Sequence, residues 1–186
     1  MGLPARELNG ARRNQSLMDE LQTERLLLRA LTFDDAAFIL RLLNEPSYLE
    51  HIGDKNVRTL DDARAYVEYG PMASHRAHGY GLDRVELRAS GQPIGICGLL
   101  RREMLDDADL GYAFLPEFWS RGYASEAVTA VLADAKSRLG LRRVAAVVSN
   151  DNAASIRLLE KLGFHYRRMI SLHAGEPEIR LYVLEL

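Results

Sequence analysis

The sequence predicts an α/β protein built on one mixed β-sheet with helices on both faces. Strand-like and helical patterns follow one another as strand, two helices, a three-stranded meander, helix, strand, helix and two strands. The chain has 186 residues, of which 47% are hydrophobic and 27% charged, enough for one well-packed domain. No repeat or low-complexity segment interrupts the pattern.

The first half predicts one strand and two helices. Residues 24–30 are apolar between charges, which predicts a strand with Leu26 and Leu28 on one face. Thr32 and Thr59 each stand three residues before an aspartate, which predicts a capping-box start for a helix. We expect the first helix to end by Pro46 and the second to reach about residue 75.

The second half predicts six strands and two helices. Residues 80–88 and 94–100, separated by a turn at 90–93, indicate a hairpin, and residues 107–115 add a third strand. A helix begins after Gly122 and ends at Gly140, a left-handed cap. The remaining elements are a buried strand at 143–148, a helix at 153–162, and strands at 164–172 and 178–186.

Composition excludes several classes of protein. The net charge is −2 and the pI is about 6.2, which disfavours nucleic acid as the main partner. The single cysteine, Cys97, excludes an internal disulfide, and no apolar run approaches the ~18 residues of a membrane span, so we expect no membrane partner. Five histidines show no metal-like spacing, so no metal is predicted. We expect residues 1–18 to be a disordered extension, residues 19–186 to be one domain, and the location to be cytoplasmic.

The turn around Gly122 is the most informative segment. Gly122 and Ala124 lie between a predicted strand and a predicted helix, so the backbone there can approach a ligand closely. The unpaired N–H groups at the start of that helix favour negative charge, such as a phosphate or pyrophosphate. A glycine at a strand-to-helix corner is also often only a steric necessity.

Four stretches in order resemble the GNAT superfamily of acetyl-CoA-dependent N-acetyltransferases, specifically its RimJ/RimL-like branch: residues 23–29, 94–99, 111–127 and 152–164. The resemblance spans about residues 20–186. It implies a mixed, mostly antiparallel sheet of about seven strands, a splay between the fourth and fifth strands, and acetyl-CoA as co-substrate. The acyl-CoA turn of the superfamily reads (Gln/Arg)-x-x-Gly-x-(Gly/Ala); Gly122 and Ala124 match it, whereas Trp119 departs from its first position.

The resemblance also implies where coenzyme A binds. The pyrophosphate would contact the backbone that follows Ser120, and the pantetheine arm would lie in the splay like an added strand. The residues assigned to the cofactor are Ala113, Phe114, Leu115, Arg121, Gly122, Tyr123, Ala124, Ser125, Asn152, Ser155 and Arg157.

Three residues are candidates for the chemistry and the acceptor. Asp109 occupies the strand position where related enzymes often carry a glutamate base, although it could instead be a solvated strand residue. Leu159 stands where many members carry a tyrosine acid, so we assign that role to Ser155, which could instead be an ordinary first-turn serine. His51 lies in the region that closes over the acceptor in this fold, and we expect it to contact the substrate.

We therefore expect an enzyme that transfers acetyl directly from acetyl-CoA to a primary amine. The acceptor is either a protein N-terminal amine or a small-molecule amine. The alternative is a non-catalytic acyl-CoA-binding or sensor module on the same scaffold, which the leucine at position 159 motivates. A homodimer through the last strands or a sheet edge is compatible with the sequence.

Overall fold

One eight-stranded sheet organises the computed structural model, which describes residues 20–172 and 175–186. The extension expected at residues 1–18 lies outside the described residues. The strands are β1 Leu21–Gln22, β2 Leu26–Ala30, β3 Leu82–Leu87, β4 Pro93–Leu100, β5 Ala108–Phe114, β6 Arg143–Val148, β7 His165–Ile170 and β8 Ile179–Glu185.

The sheet order is β1-β2-β3-β4-β5-β6-β8-β7, and every neighbouring pair is antiparallel except β5 and β6. This confirms the predicted mixed, mostly antiparallel sheet and its β3-β4-β5 meander. The sheet has eight strands where about seven were expected. The additional strand, β1, is only two residues long, too short for a periodic pattern to indicate it.

The predicted splay lies between β5 and β6. These strands pair only at Ala108 with Val144 and at Asp109 with Ala145. Beyond that point β5 continues to Phe114 and β6 to Val148, but the two strands no longer pair with each other. The gap corresponds to the one expected between the fourth and fifth strands, because β1 shifts the count by one. It leaves two strand edges facing each other inside the sheet.

Helices before β3 are more broken than predicted. Helix α1 (Ala36–Leu43) follows a 3₁₀ turn, and Pro46, which was expected to end the helical region, begins the short α2 (Pro46–His51). The second predicted helix comprises α3 (Leu60–Val67), a π-helical segment (Glu68–Met72) and α4 (Ala73–His78). Pro71 lies in the π-helical segment, where its missing N–H interrupts the regular ladder.

The remaining helices pack against strands on opposite sides of the splay. Helix α5 (Tyr123–Ser137) contacts β4 and β2, and α6 (Ala153–Lys161) contacts β6. Strand β6 is buried on both faces, since Val144 and Val148 join the main core and Ala145 joins a second cluster with Leu181. Cys97 is fully buried in the main core, as expected of a small hydrophobic residue. Among the helices of the described ranges, none is long and apolar enough to span a membrane.

Candidate active site

The turn before α5 presents a row of unpaired backbone donors. Ser120 and Gly122 have left-handed φ angles of 58° and 80°, and Gly122 is the N-cap of α5. The first helical hydrogen bond runs from Glu126 N–H to the Gly122 carbonyl, at 3.0 Å. In the described part of the chain, the N–H groups of residues 120–125 donate to no protein acceptor. These donors at the N-terminus of a 15-residue helix form a site for an anion.

A cavity of about 450 Å³ extends from this turn along the splay. It is bordered by the end of β5, the first turn of α6 and part of α2. Most of the predicted cofactor residues line it, namely Ala113, Phe114, Gly122, Tyr123, Ala124, Ser125, Asn152, Ser155 and Arg157. We call it the cofactor cavity.

Two predicted cofactor residues do not line this cavity. Leu115 is buried in the core, and its N–H donates to the Ile94 carbonyl at 2.9 Å. The Arg121 guanidinium lies over the Phe118 ring, 5.9 Å from its centroid. A role for either residue in binding the cofactor stays a prediction.

Trp119 fixes the end of β5 beside the cavity. Its indole Nε1 donates to the Phe114 carbonyl oxygen at 2.7 Å. The ring itself is 47% exposed and lines the cofactor cavity, so it serves as more than a core packing group.

A second cavity, of about 580 Å³, adjoins the splay, and we call it the acceptor cavity because Asp109 and His51, predicted for the base and the substrate contact, line it. Asp109 lines it although its side chain is fully buried, which excludes the solvated-residue interpretation. Arg102 Nε donates to Asp109 Oδ2, whereas Oδ1 makes no hydrogen bond of good geometry within the described residues, although the Val147 backbone lies near enough to the carboxyl to lower its pKa. Burial raises the pKa of Asp109 to about 6, and the Arg102 charge opposes that rise. The carboxyl can therefore exchange a proton near neutral pH.

The two cavities meet at a set of shared lining residues: Tyr48, His51, Ile52, Tyr112, Ala113, Asn152 and Ser155. Ser155 is placed by the N-cap of α6, since its N–H donates to Asn152 Oδ1 at 3.0 Å. No described backbone group accepts a hydrogen bond from Ser155 Oγ, which argues against a purely local role. Its hydroxyl therefore stands between the cavities.

Tyr112 brings a second hydroxyl to this junction. The Tyr112 hydroxyl is buried and has no hydrogen-bond partner by geometry within the described residues. Burial raises its pKa to about 12, and the neighbouring Ser155 side chain lowers it in part. Leu159 is buried and lines the acceptor cavity, so α6 offers no tyrosine at the predicted position.

His51 ends α2 and also reaches the junction. Its Nδ1 is buried without a hydrogen-bond partner among the described residues, and lies 3.9 Å from Asp151 Oδ1. Glu50, His51 and Asp151 bring possible metal-ligating atoms within 4.8 Å of one another, but both acids are exposed, so we assign no metal there.

The family described as acetyltransferase (GNAT) domain matches residues 25–165. The protein belongs to the GNAT family of acetyltransferases. It is an N-acetyltransferase of that family, and the resemblance inferred from the four sequence stretches is confirmed.

Relatives of this GNAT protein cover most of its length. The uncharacterized N-acetyltransferase YoaA of Bacillus subtilis is 33% identical over 77% of this chain and 81% of its own. An acetyltransferase structure from Agrobacterium tumefaciens has a TM-score of 0.77 at 24% identity and covers 90% of this chain and 94% of its own. The RimL ribosomal L7/L12 α-N-protein acetyltransferase in complex with coenzyme A has a TM-score of 0.73 at 17% identity, over 90% and 98% of the two chains. At these identities the structures show a shared fold.

Four residues of this GNAT site were not assigned to it from the sequence: Lys55, Arg102, Tyr112 and Trp119. Tyr112 and Trp119 lie in the 111–127 stretch that carries the resemblance, where neither received a role in the site. Arg102 follows β4 and pairs with Asp109 across the β4–β5 connection, a contact that a charge pattern alone does not assign. Lys55 lies in the loop between α2 and α3, where no periodic pattern indicates which way a side chain points.

Proposed function

We propose that the protein is an acetyl-CoA-dependent N-acetyltransferase that transfers the acetyl group directly to a primary amine within a ternary complex. The observation that carries the proposal is the meeting of two cavities at Ser155 and Tyr112. One cavity offers unpaired N–H groups and the other a buried carboxyl, the polar groups that an acyl-CoA and an amine require.

The cofactor cavity suits coenzyme A in shape and in chemistry. The N–H groups of residues 120–125 would hold the pyrophosphate, with Arg157 and Lys161 on the opposite wall available for further phosphate charge. The unpaired stretch of β5 beyond Asp109 offers peptide groups to the pantetheine arm. This arrangement would bring the thioester to the junction.

In the reaction the amine nitrogen forms a bond to the thioester carbonyl carbon, and the carbon–sulfur bond breaks. Asp109, with a pKa near 6, would accept a proton from the acceptor ammonium, through water where direct contact is too long. Ser155 would donate a hydrogen bond and then a proton to the departing thiolate, and its hydroxyl would regain a proton, directly or through water, from the nitrogen that becomes the amide. Tyr112 is close enough to Ser155 to support that hydroxyl. No covalent intermediate with the enzyme is required.

The finer identity of the acceptor belongs to this proposal as well. Several structural neighbours are named as acetyltransferases of the ribosomal protein L7/L12, so a protein N-terminal amine is one option for this chain. A small-molecule amine is the other, and the buried position of Asp109 within a 580 Å³ cavity suits it.

Calorimetric titration with acetyl-CoA, coenzyme A and ATP tests the cofactor half of the proposal. We expect the two CoA species to bind and ATP not to bind.

Release of the free thiol of coenzyme A in the presence of amines and N-terminal peptides then tests acetyl transfer. Ser155→Ala should lower kcat with little change in the KM for acetyl-CoA. The matched control is Ser137→Ala on α5, where the hydroxyl only donates to the Ala133 carbonyl. Binding of CoA without transfer to any amine would favour the sensor alternative.

A further inference from the structure

The acceptor cavity has an excess of positive charge. Its charged lining groups are the cations Lys55, Arg101 and Arg102 and the single acid Asp109, together with two histidines. Arg102 is paired with Asp109, and the Arg101 guanidinium donates to the carbonyls of Leu105 and Asp106. Of the three cations, Lys55 is therefore the one whose charge is not paired with a protein group among the described residues.

Lys55 has no ion-pair or hydrogen-bond partner among the described residues. The acid beside it in the chain, Asp54, is committed to Arg58 Nη2 and to the N–H of Asn56. Glu176, on the β7–β8 connection, acts on Lys55 only through its charge and forms no ion pair with it. The loop thus places an ammonium without an ion-pair partner at a cavity whose one carboxylate among the described lining residues, that of Asp109, is already paired with Arg102.

The surroundings of Lys55 disfavour its own charge. Lys55 is an exposed residue, but the groups around its ammonium lower its pKa by desolvation, and the Arg102 guanidinium lowers that pKa further. Arg102 therefore lies within electrostatic reach of both Lys55 and Asp109. A ligand anion placed between Lys55 and Arg102 would relieve the repulsion between them, while a ligand ammonium would pair with the open Oδ1 of Asp109.

We infer that the acceptor is a small amino-carboxylate, an amino-acid-like molecule whose carboxylate binds Lys55 and Arg102 while its amine faces Asp109. This inference rests on the proposed function and specifies the chemical class of the acceptor amine. Polycations such as polyamines are disfavoured, because each additional ammonium would meet Lys55, Arg101 or Arg102. The walls formed by Tyr48, Tyr66 and Tyr69 leave an aromatic surface for the acceptor side chain.

The carboxylate takes no part in the covalent step. The nitrogen forms the amide bond to the acetyl carbon, the bond to sulfur breaks, and the carboxylate leaves unchanged on the N-acetylated product. Both acceptor and product therefore carry the group that Lys55 recognises. This allows binding at Lys55 to be measured without turnover.

The test uses the full chain and a panel of L-amino acids, each matched with its C-terminal amide, together with spermidine and short peptides. At saturating acetyl-CoA, the kcat/KM for the preferred acids should exceed that for their amides by roughly 10- to 100-fold. Lys55→Met should remove most of that preference by raising the KM for the acid, whereas the KM for the amide, which carries no carboxylate, should not rise. Lys136→Met, an exposed change on α5, is the matched control.

A parallel titration of the CoA-bound protein with N-acetyl forms of the same acids and amides separates this inference from the proposed function. Tighter binding of the acids, lost in Lys55→Met, supports the carboxylate site even if no transfer occurs. Equal or better use of amides, spermidine or peptides overturns the inference and leaves the transferase assignment standing. Absence of both transfer and acid-selective binding overturns it as well.

Discussion

Arg25 and Glu126, 101 residues apart in the chain, hold the start of β2 against the first turn of α5. Arg25 Nε and Nη2 both lie 2.7 Å from Glu126 Oε2, and the Arg25 N–H donates to Oε1 at 2.9 Å. The same guanidinium donates to the Arg121 carbonyl at 2.9 Å and stacks 4.5 Å from the centroid of the Tyr123 ring. One side chain therefore positions both ends of the turn with the unpaired donors.

Arg25→Met should weaken coenzyme A binding while leaving the fold intact. The turn would lose its contacts to Arg25, so its N–H groups would be ordered only on binding, at a cost of affinity. We expect the Kd for coenzyme A to rise by roughly 10-fold, equivalent to about 1.4 kcal/mol. Arg64→Met, which breaks an exposed pair with Asp61 on α3, should leave the Kd unchanged in the same calorimetric experiment. An unchanged Kd in Arg25→Met would mean that the turn is rigid without it.

Gly122→Val should abolish measurable coenzyme A binding. A side chain at φ 80° is strained, and the new Cβ would lie 3.3 Å from Arg25 Nη2 on the surface proposed for the pyrophosphate. Gly91→Val is the control for backbone strain, because Gly91 has a φ of 69° and open space around its Cβ, in the β3–β4 turn. Both variants should lose stability in thermal unfolding, and only Gly122→Val should lose affinity. Equal coenzyme A affinities of Gly122→Val and Gly91→Val would contradict the proposal that the turn binds the pyrophosphate.

Asp109→Asn should change the pH dependence of transfer. Because the pKa of Asp109 is about 6, the carboxyl is protonated and inactive as a base below that pH, so the wild-type kcat/KM should rise as pH increases through about 6. In the variant the rise in kcat/KM through pH 6 should disappear, and kcat/KM itself should fall by roughly 10²- to 10⁴-fold. Asp106→Asn changes an exposed acid in the β4–β5 connection, just before β5, and should keep the wild-type pH profile. A limb near pH 6 that persists in Asp109→Asn would assign the titration to another group.

Asp35→Ala should be strongly destabilising. Asp35 is buried and accepts from Arg29 Nη1 and Nη2, each at 2.9 Å, and from Arg84 Nη1 at 2.6 Å. Glu86 would still contact both guanidinium groups, but one acid would then face two partly buried cations, so we expect a loss of about 3 kcal/mol of unfolding free energy, measured in urea. The exposed neighbour Asp34→Ala should cost less than about 1 kcal/mol. A similar loss in both variants would contradict a special role for this network.

The same carboxyl should contribute to acid sensitivity. Burial alone would raise the pKa of Asp35, but hydrogen bonds from Arg29, the Thr32 N–H and Arg84 lower it to about 2. A lowered pKa stabilises the fold above the ordinary value of 3.8, and this contribution is lost as pH falls toward 2. Unfolding free energies of the wild type and of Asp35→Ala should therefore converge over that range.

The sequence predicted the helix starts well because their cause is local. Thr59 and Asp62 exchange hydrogen bonds across one turn, and Asn152 caps α6 through Ser155 N–H, all within four residues. By contrast, the sequence did not predict that Asp109 would be buried beside Arg102 or that Lys55 would line the acceptor cavity. Those relationships depend on how separate strands and loops meet, and no periodicity within either segment carries that information.

The break in pairing between β5 and β6 has a consequence for how the molecule avoids unwanted association. Unpaired strand edges at the periphery of a sheet attract other chains and promote aggregation. Here two such edges face each other in the middle of the sheet, where β6 no longer pairs with β5. A slender flexible ligand can reach these peptide groups, whereas the edge of another folded protein is too bulky to enter. The unpaired peptide groups of β5 and β6 are therefore accessible to a small molecule but not to the sheet edge of another copy of the protein.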